Sequence, residues 1–154
     1  MAELGRQRGE QLIAERTRRE GDCLIWGEGN PEAYGTLRVD GRQELAHRFA
    51  WMVAYGEIPE GAKVDHRCHR PRCVNILHLR LATNRENTRH KRGANKNNKL
   101  GVRNVHLRRS GRFQVAVRGP DGKQYGTTHD TIEEAEREAA ELRSAIYGEF
   151  AGAA

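Results

Sequence analysis

Apolar residues in this chain come in short clusters between polar runs, and their spacing within each cluster separates helix from strand. Residues 1–20 are charged, with isolated apolar positions at Leu4, Leu12 and Ile13, which predicts a marginal helix or an arm. An apolar cluster opens at Cys23-Leu24-Ile25-Trp26. Residues 34–39 and 42–45 flank Asp40-Gly41, a strong signal for a hairpin with a type I′ turn. Ala46 to Tyr55 then reads as a helix that Gly56 stops as a C′ residue, its Phe49, Trp51, Met52 and Val53 forming core. Pro59-Glu60-Gly61 marks a turn, and 63–66 reads as a short strand running into a loop with cysteines. Thr83-Asn84-Arg85-Glu86 has the form of a capping box, so a helix is expected from Thr83 to about residue 92, with Asn87 in its first two turns.

The last third changes character. Residues 102–107, 112–117 and 124–128 read as three short strands, with turns at Ser110-Gly111 and Pro120-Asp121-Gly122. A second capping box, Thr131-Ile132-Glu133-Glu134, precedes Ile132, Ala135, Ala139, Leu142 and Ile146. Their 3, 4, 3, 4 spacing predicts an amphipathic helix packed on the sheet. The stretch 93–100, polar and basic, separates the two halves as a linker. The organisation expected is an arm over 1–20, a first domain over 21–92, this linker, and a second domain over 101–150.

Composition narrows the classes. Across 154 residues, 36% are apolar and 6% aromatic, so no large core is available. A domain short of core commonly needs a metal or a disulfide as a staple. Three cysteines, no apolar run reading as a signal peptide and no stretch of membrane-spanning length together imply a reducing cytoplasmic setting, where clustered cysteines favour metal. The formal charge is +6, yet ten Lys or Arg and no Asp or Glu fall within 88–118, leaving 17 basic against 21 acidic residues elsewhere. A solvated face is the plain explanation of such a run. The contrast with an otherwise acidic chain points instead to a polyanion, above all nucleic acid.

Chemistry concentrates between residues 65 and 87. Cys68, Cys73 and His78 have intervals suited to a zinc loop, and Cys23 can complete a Cys₃His set of the kind found in structural zinc sites. A Cys68–Cys73 disulfide and free buried thiols are the alternatives, and His69 is a rival ligand that adjacency to Cys68 would strain. Asp65 and Asn87 offer hard oxygen ligands suited to Mg²⁺ or Mn²⁺. Between them in sequence, His66 can take a proton from water as general base, and Arg48 can bind the scissile phosphate. In the last third, strand alternation puts Arg112, Gln114, Ala116 and Arg118 opposite Phe113, Val115 and Val117. With Arg103, His106, Arg108 and Arg109, these polar residues can contact phosphates or base edges of double-stranded DNA.

The segments Asp65-His66-Arg67-Cys68, Cys73-Val74-Asn75, His78-Leu79 and Glu86-Asn87 resemble the HNH and His-Cys box endonucleases of the ββα-metal (His-Me finger) superfamily. Leu45-Ala46-His47-Arg48-Phe49-Ala50-Trp51 resembles the segment ahead of that box in phage-type HNH homing endonucleases. The resemblance implies an α+β fold, a zinc-stapled ββα-metal domain. It further implies His66 as general base, Asn87 and Asp65 as catalytic metal ligands, and Cys23, Cys68, Cys73 and His78 on structural zinc. Many HNH members have asparagine where this chain has His78, so His78 either binds zinc or orients His66; Ile76 stands where proline is common. The segment from Gly101-Val102-Arg103 to Glu133-Glu134-Ala135 resembles the plant ethylene-response-factor (APETALA-type) DNA-binding domain, a three-stranded antiparallel sheet on one helix. The whole reads as a site-directed DNA endonuclease leaving 3′-hydroxyl and 5′-phosphate ends, as monomer or homodimer and without membrane association. A non-enzymatic zinc protein that binds DNA, and a nuclease acting on RNA or without sequence choice, are the rival readings.

Overall fold

The computed structural model describes residues 3–39 and 41–152 and divides into two units, 1–84 and 85–154. In the first, helix α1 (Glu3–Arg16) leads directly into strand β1 (Thr17–Glu20). Strand β1 pairs antiparallel with β2 (Cys23–Trp26), turning at Gly21 with φ 57°. The expected arm is therefore a helix and a strand. Leu12 and Ile13 pack on the core, and Gly9 lies so close to α2 that a Cβ there would meet Val53 Cγ2 at 2.6 Å.

Strands β3 (Thr36–Val39) and β4 (Arg42–Leu45) form the expected hairpin, Val39 paired with Arg42. Asp40, half of its turn signal, lies outside the described residues. Helix α2 (Ala46–Tyr55) has the bounds read from sequence, and the Gly56 N–H closes it on the Met52 carbonyl at 3.0 Å. Its inner face (Ala46, Phe49, Ala50, Val53) joins Trp26, Leu37 and Val74 in the first core. Strand β5 (Lys63–His66) pairs with β6 (Leu79–Ala82), which the sequence pattern did not predict, because Arg80 breaks its apolar run. That arginine is buried against Asp65, directly opposite in register.

Helix α3 (Asn84–Arg89), shorter than the capping box suggested, carries the division between the units. In the second unit, β7 (Val105–Leu107), β8 (Phe113–Val115) and β11 (Thr128–His129) form a three-stranded antiparallel sheet with β8 central. A separate pair, β9 (Val117–Arg118) and β10 (Gln124–Tyr125), extends the hairpin. Of the expected strands, 112–117 and 124–128 are each broken in two, and 102–107 is shortened to β7. Ala116 leaves the ladder to exchange hydrogen bonds with Asn104, while Gly126, at φ 129°, lies so close to Val115 that a Cβ would meet its carbonyl oxygen at 2.6 Å.

Helix α4 (Ile132–Tyr147) is capped as read, the Thr131 hydroxyl accepting from the Glu134 N–H at 3.3 Å. Val105, Val115, Val117, Ala135 and Ala139 form the second core. The stretch expected to be a linker is tied into this unit: Leu100 packs on the core, and Asn98 Nδ2 donates to the Val102 carbonyl at 2.6 Å.

Glu138 of α4 joins helix to sheet by accepting hydrogen bonds from the Thr127 N–H and hydroxyl and from His129 Nε2 at 2.7 Å. Burial alone raises its pKa, but the bonds from His129 and Thr127 outweigh that and hold it below the ordinary 4.5. A depressed carboxyl pKa contributes stability that is present above the unfolded value and is lost as pH falls through the folded one. Glu138→Gln is accordingly expected to weaken amide-exchange protection of α4 near neutral pH, with the deficit shrinking as pH drops below 4.5. An equal deficit at every pH would assign the contribution to shape and not to charge.

Candidate metal centre and active site

Two arrangements meet in the first unit. Strand β2 and the loop 67–78 are joined edge to edge: the Trp26 N–H donates to the Arg72 carbonyl at 2.9 Å and the Val74 N–H to the Leu24 carbonyl at 2.8 Å. This pairing sets Cys23 beside Cys73. Asn75 tightens the turn, its Nδ2 donating to the Asp22 carbonyl at 2.6 Å and its Oδ1 accepting from the Leu77 N–H at 3.1 Å. The 3₁₀ turn Ile76–His78 then aims His78 at the thiols. Arg72 holds the other edge through three hydrogen bonds to the Trp26 and Glu28 carbonyls.

The ligand atoms of Cys23, Cys68, Cys73 and His78 all lie within 4.8 Å of one another. Around tetrahedral zinc, with Zn–S about 2.3 Å and Zn–N about 2.0 Å, neighbouring sulfur and nitrogen atoms stand about 3.5 Å apart. His78 Nδ1 is 3.5 Å from Cys23 Sγ and 3.6 Å from Cys73 Sγ. Crowding sets the thiols against one another: the hydrogen bond with Cys68 draws Cys73 down and pushes Cys68 up, while burial raises Cys23. A divalent cation held there would relieve that crowding by taking all three as thiolates. The group can hold a metal ion such as zinc. All three cysteines are free thiols here, and His78 stands with them.

The Cys73 carbonyl oxygen lies 2.9 Å from His66 Nε2, and a carbonyl only accepts, so Nε2 carries the hydrogen. In the neutral ring the lone pair then sits on Nδ1. His66 ends β5 and is 6% exposed. Asp65, beside it, receives Arg80 Nε at 2.9 Å, both side chains under a tenth exposed. The expected metal ligand thus comes with a buried cation as its partner. Arg48 on α2 is bound to Glu44 at 3.1 Å, and Asn87 lies on α3.

The sequence did not single out His47, Tyr34 or Arg80. His47 is 4% exposed, and its ring centroid lies 4.6 Å from that of His66 and 5.1 Å from that of Tyr34. Burial, then His66 and Arg48, lower its pKa to about 3, so it is neutral. A polar ring on the inner face of α2, among Ala46, Phe49 and Ala50, was the available signal.

Among the nucleic-acid candidates, His106 and Gln114 pair across β7 and β8, and Thr128 continues the row on β11. Val105 and Val115 pair on the opposite, buried side. Arg108, Arg109, Arg112 and Arg118 are exposed, Arg112 with Asp130 at 2.7 Å. Arg103 is placed differently: its guanidinium donates to the Lys91 carbonyl at 2.7 Å and the Ala151 carbonyl at 3.0 Å, and also to the Arg89 carbonyl. No described helix is long and apolar enough to cross a membrane.

Known proteins share part of this chain. Protein 7.7 of Escherichia phage T7 is 41% identical over 68 residues, which are 44% of this chain and 52% of that protein. The chain thus spans about half the length of that relative. No solved structure matches. Residues 44–89, running from β4 to the end of α3 and containing Asp65, His66, the loop with Cys68, Cys73 and His78, and Asn87, match the model of a family described as HNH endonuclease.

Proposed function

We propose that this chain is a metal-dependent DNA endonuclease of the homing HNH, His-Cys box kind, which hydrolyses phosphodiester bonds to 3′-hydroxyl and 5′-phosphate ends. The observation that carries the reading is the setting of His66. Within the segment matching HNH endonucleases, its Nε2–H is held by the Cys73 carbonyl, which directs the basic lone pair to Nδ1. His66 Nδ1 takes the proton of the attacking water. Asp65 and Asn87, a carboxylate and an amide, suit Mg²⁺ or Mn²⁺, ions that take one or two protein ligands and keep waters and substrate phosphates. When bound, such an ion neutralises charge developing on the phosphate and the departing oxygen. Arg48 reaches a phosphate by exchanging its bond to Glu44.

The sheet face bearing His106, Gln114 and Thr128, flanked by Arg108, Arg109, Arg112 and Arg118, is the proposed double-stranded DNA surface, as in the APETALA-type domain that this segment resembles. Arg103, also a candidate for it, bonds the Lys91 and Ala151 carbonyls. The setting is the cytoplasm of a host cell. Nicking suits a monomer, and cutting both strands favours a homodimer.

One observation favours a second reading. The buried Arg80 already balances the Asp65 charge, as in a zinc protein that binds DNA without cutting it. Incubating zinc-loaded protein with supercoiled phage and host DNA and Mg²⁺ or Mn²⁺ separates the two. Nicked or linear products that a DNA ligase reseals are expected. DNA retarded in a gel yet intact after every incubation would establish the binding protein instead.

A further inference from the structure

Helix α3 carries Asn87 without an apolar face to hold it. It runs from Asn84 to Arg89, every residue polar and none buried. So short a helix is marginal in water, and packing of an apolar face, the usual source of helical stability, is closed to it. Its last carbonyls also find no partners within the helix. The structure meets both needs at the C-terminal end of α3.

The second unit, to which residues from Arg85 onward belong, grips that end. The Arg103 guanidinium donates to the Arg89 carbonyl, to the Lys91 carbonyl at 2.7 Å and to the Ala151 carbonyl at 3.0 Å. One planar fork thus closes the helix and ties it to the end of the chain, and a cation is the charge that a helix C-terminus favours. Around this fork, the Arg89 guanidinium lies over the Tyr147 ring at 4.5 Å, and the buried His90 meets Phe150 edge to face at 6.3 Å. Gly152 fits so closely that a Cβ there would come within 2.6 Å of both Arg103 Nη1 and the Lys91 carbonyl. Arg103 is itself seated by α4, its own carbonyl accepting from Nη1 of the buried Arg143 at 3.1 Å. Direct contacts therefore run from α4 through Arg103 to the turn that follows Asn87.

We propose that Arg103 is a positioning residue for Asn87, its guanidinium closing α3 so that the second unit presents this ligand to the catalytic metal. The proposal rests on the endonuclease reading for its catalytic consequence, but not for its structural one. A displaced ligand weakens the hold on Mg²⁺ or Mn²⁺ and slows the chemical step while DNA binding persists. A phosphate contact at the same arginine has the opposite signature: weaker binding, a shallower salt dependence and an unchanged rate at saturating DNA.

The test compares the full zinc-loaded wild type with Arg103→Met and Arg103→Lys, recording the thermal midpoint of each. Amide exchange at the His90 N–H, which donates to the Glu86 carbonyl at 2.9 Å, reports α3 without reference to activity, with α4 as control. Cleavage of supercoiled DNA over a Mg²⁺ series gives kcat, KM for DNA and the half-saturating metal concentration. Gel retardation without Mg²⁺ gives the DNA affinity and its salt dependence. In Arg103→Met, His90 protection is expected to fall about tenfold with α4 still protected. The half-saturating metal concentration rises, or kcat falls, roughly 10- to 100-fold, with KM for DNA near the wild-type value. Arg103→Lys keeps the charge without the planar fork, so it retains DNA affinity and recovers only part of the protection and rate. It also covers a methionine variant that does not fold.

Unchanged His90 protection in both variants would mean that α3 is held without Arg103, and would end the positioning role. Lost protection with unaltered kcat and metal dependence would confine Arg103 to stability. Weaker DNA binding, a flatter salt dependence and an unchanged kcat would make it a phosphate contact instead. Full recovery of protection and rate by lysine would assign the effect to charge and overturn the fork. Wild-type protein that cuts no DNA ends the endonuclease reading, while amide exchange still decides whether Arg103 holds α3.

Discussion

Removing the metal, or the ligand furthest from it in sequence, is expected to unfold the first unit. Structural zinc contributes about 10–16 kcal/mol in small sites of this type, against a whole-domain stability of about 5–15 kcal/mol. The sequence separations make the dependence steep. Cys23 and His78 are 55 residues apart, so one ion closes a loop holding most of the first unit. The core it secures is small: Trp26, Leu37, Phe49, Val53 and Val74 with two alanines. Cys23→Ser, or dialysis against a strong chelator, should release about one zinc per chain and abolish the cooperative unfolding transition seen by circular dichroism. His69→Ala should do neither, because His69 is outside the ligand group. A serine variant that melts at the wild-type temperature, or purified protein without zinc, would remove the metal from the account and leave packing to hold the loop.

His66→Ala should abolish most cleavage while leaving zinc content and melting temperature nearly unchanged. General acid–base groups contribute about 10²–10⁴-fold, and a loss in that range is expected in kcat. The prediction is specific to His66. His78→Ala, by contrast, should lose activity together with zinc and fold, since its Nδ1 lies against two of the thiols. Cleavage by His66→Ala at more than about a tenth of the wild-type rate would reassign the base. His47 would then not inherit the role by default, because burial lowers its pKa to about 3 and makes it a poor acceptor of protons at neutral pH.

How far these features could be read from sequence follows from their range along the chain. Helix α2 was legible because an amphipathic pattern and a glycine stop are local, and β5 because it lies between a turn and the loop. Cys68, Cys73 and His78 were legible because one loop carries them, and Cys23 followed from counting to four ligands. Strand β6 was hidden by Arg80, whose burial makes sense only opposite Asp65, and that pairing is a matter of register. His47 was hidden for the same reason: a histidine on an apolar helix face looks like core until the strand that it meets is known. Arg103 was read as a contact for nucleic acid because a charged side chain in a basic run suggests surface. Here it serves carbonyls from both ends of its own unit.

Cys73 lends its sulfur to the metal group and its carbonyl to His66, and this sharing has a consequence in time. A chain leaving the ribosome carries Cys23 long before His78, so an ion that seated the loop bearing Cys73 could do so only once both had been made. Until that loop is seated, His66 would lack the Cys73 carbonyl that fixes its tautomer. On the proposed function, the growing chain passes through synthesis with Asp65 and His66 already made and no competence to cut, and it is armed by the same event that completes its fold.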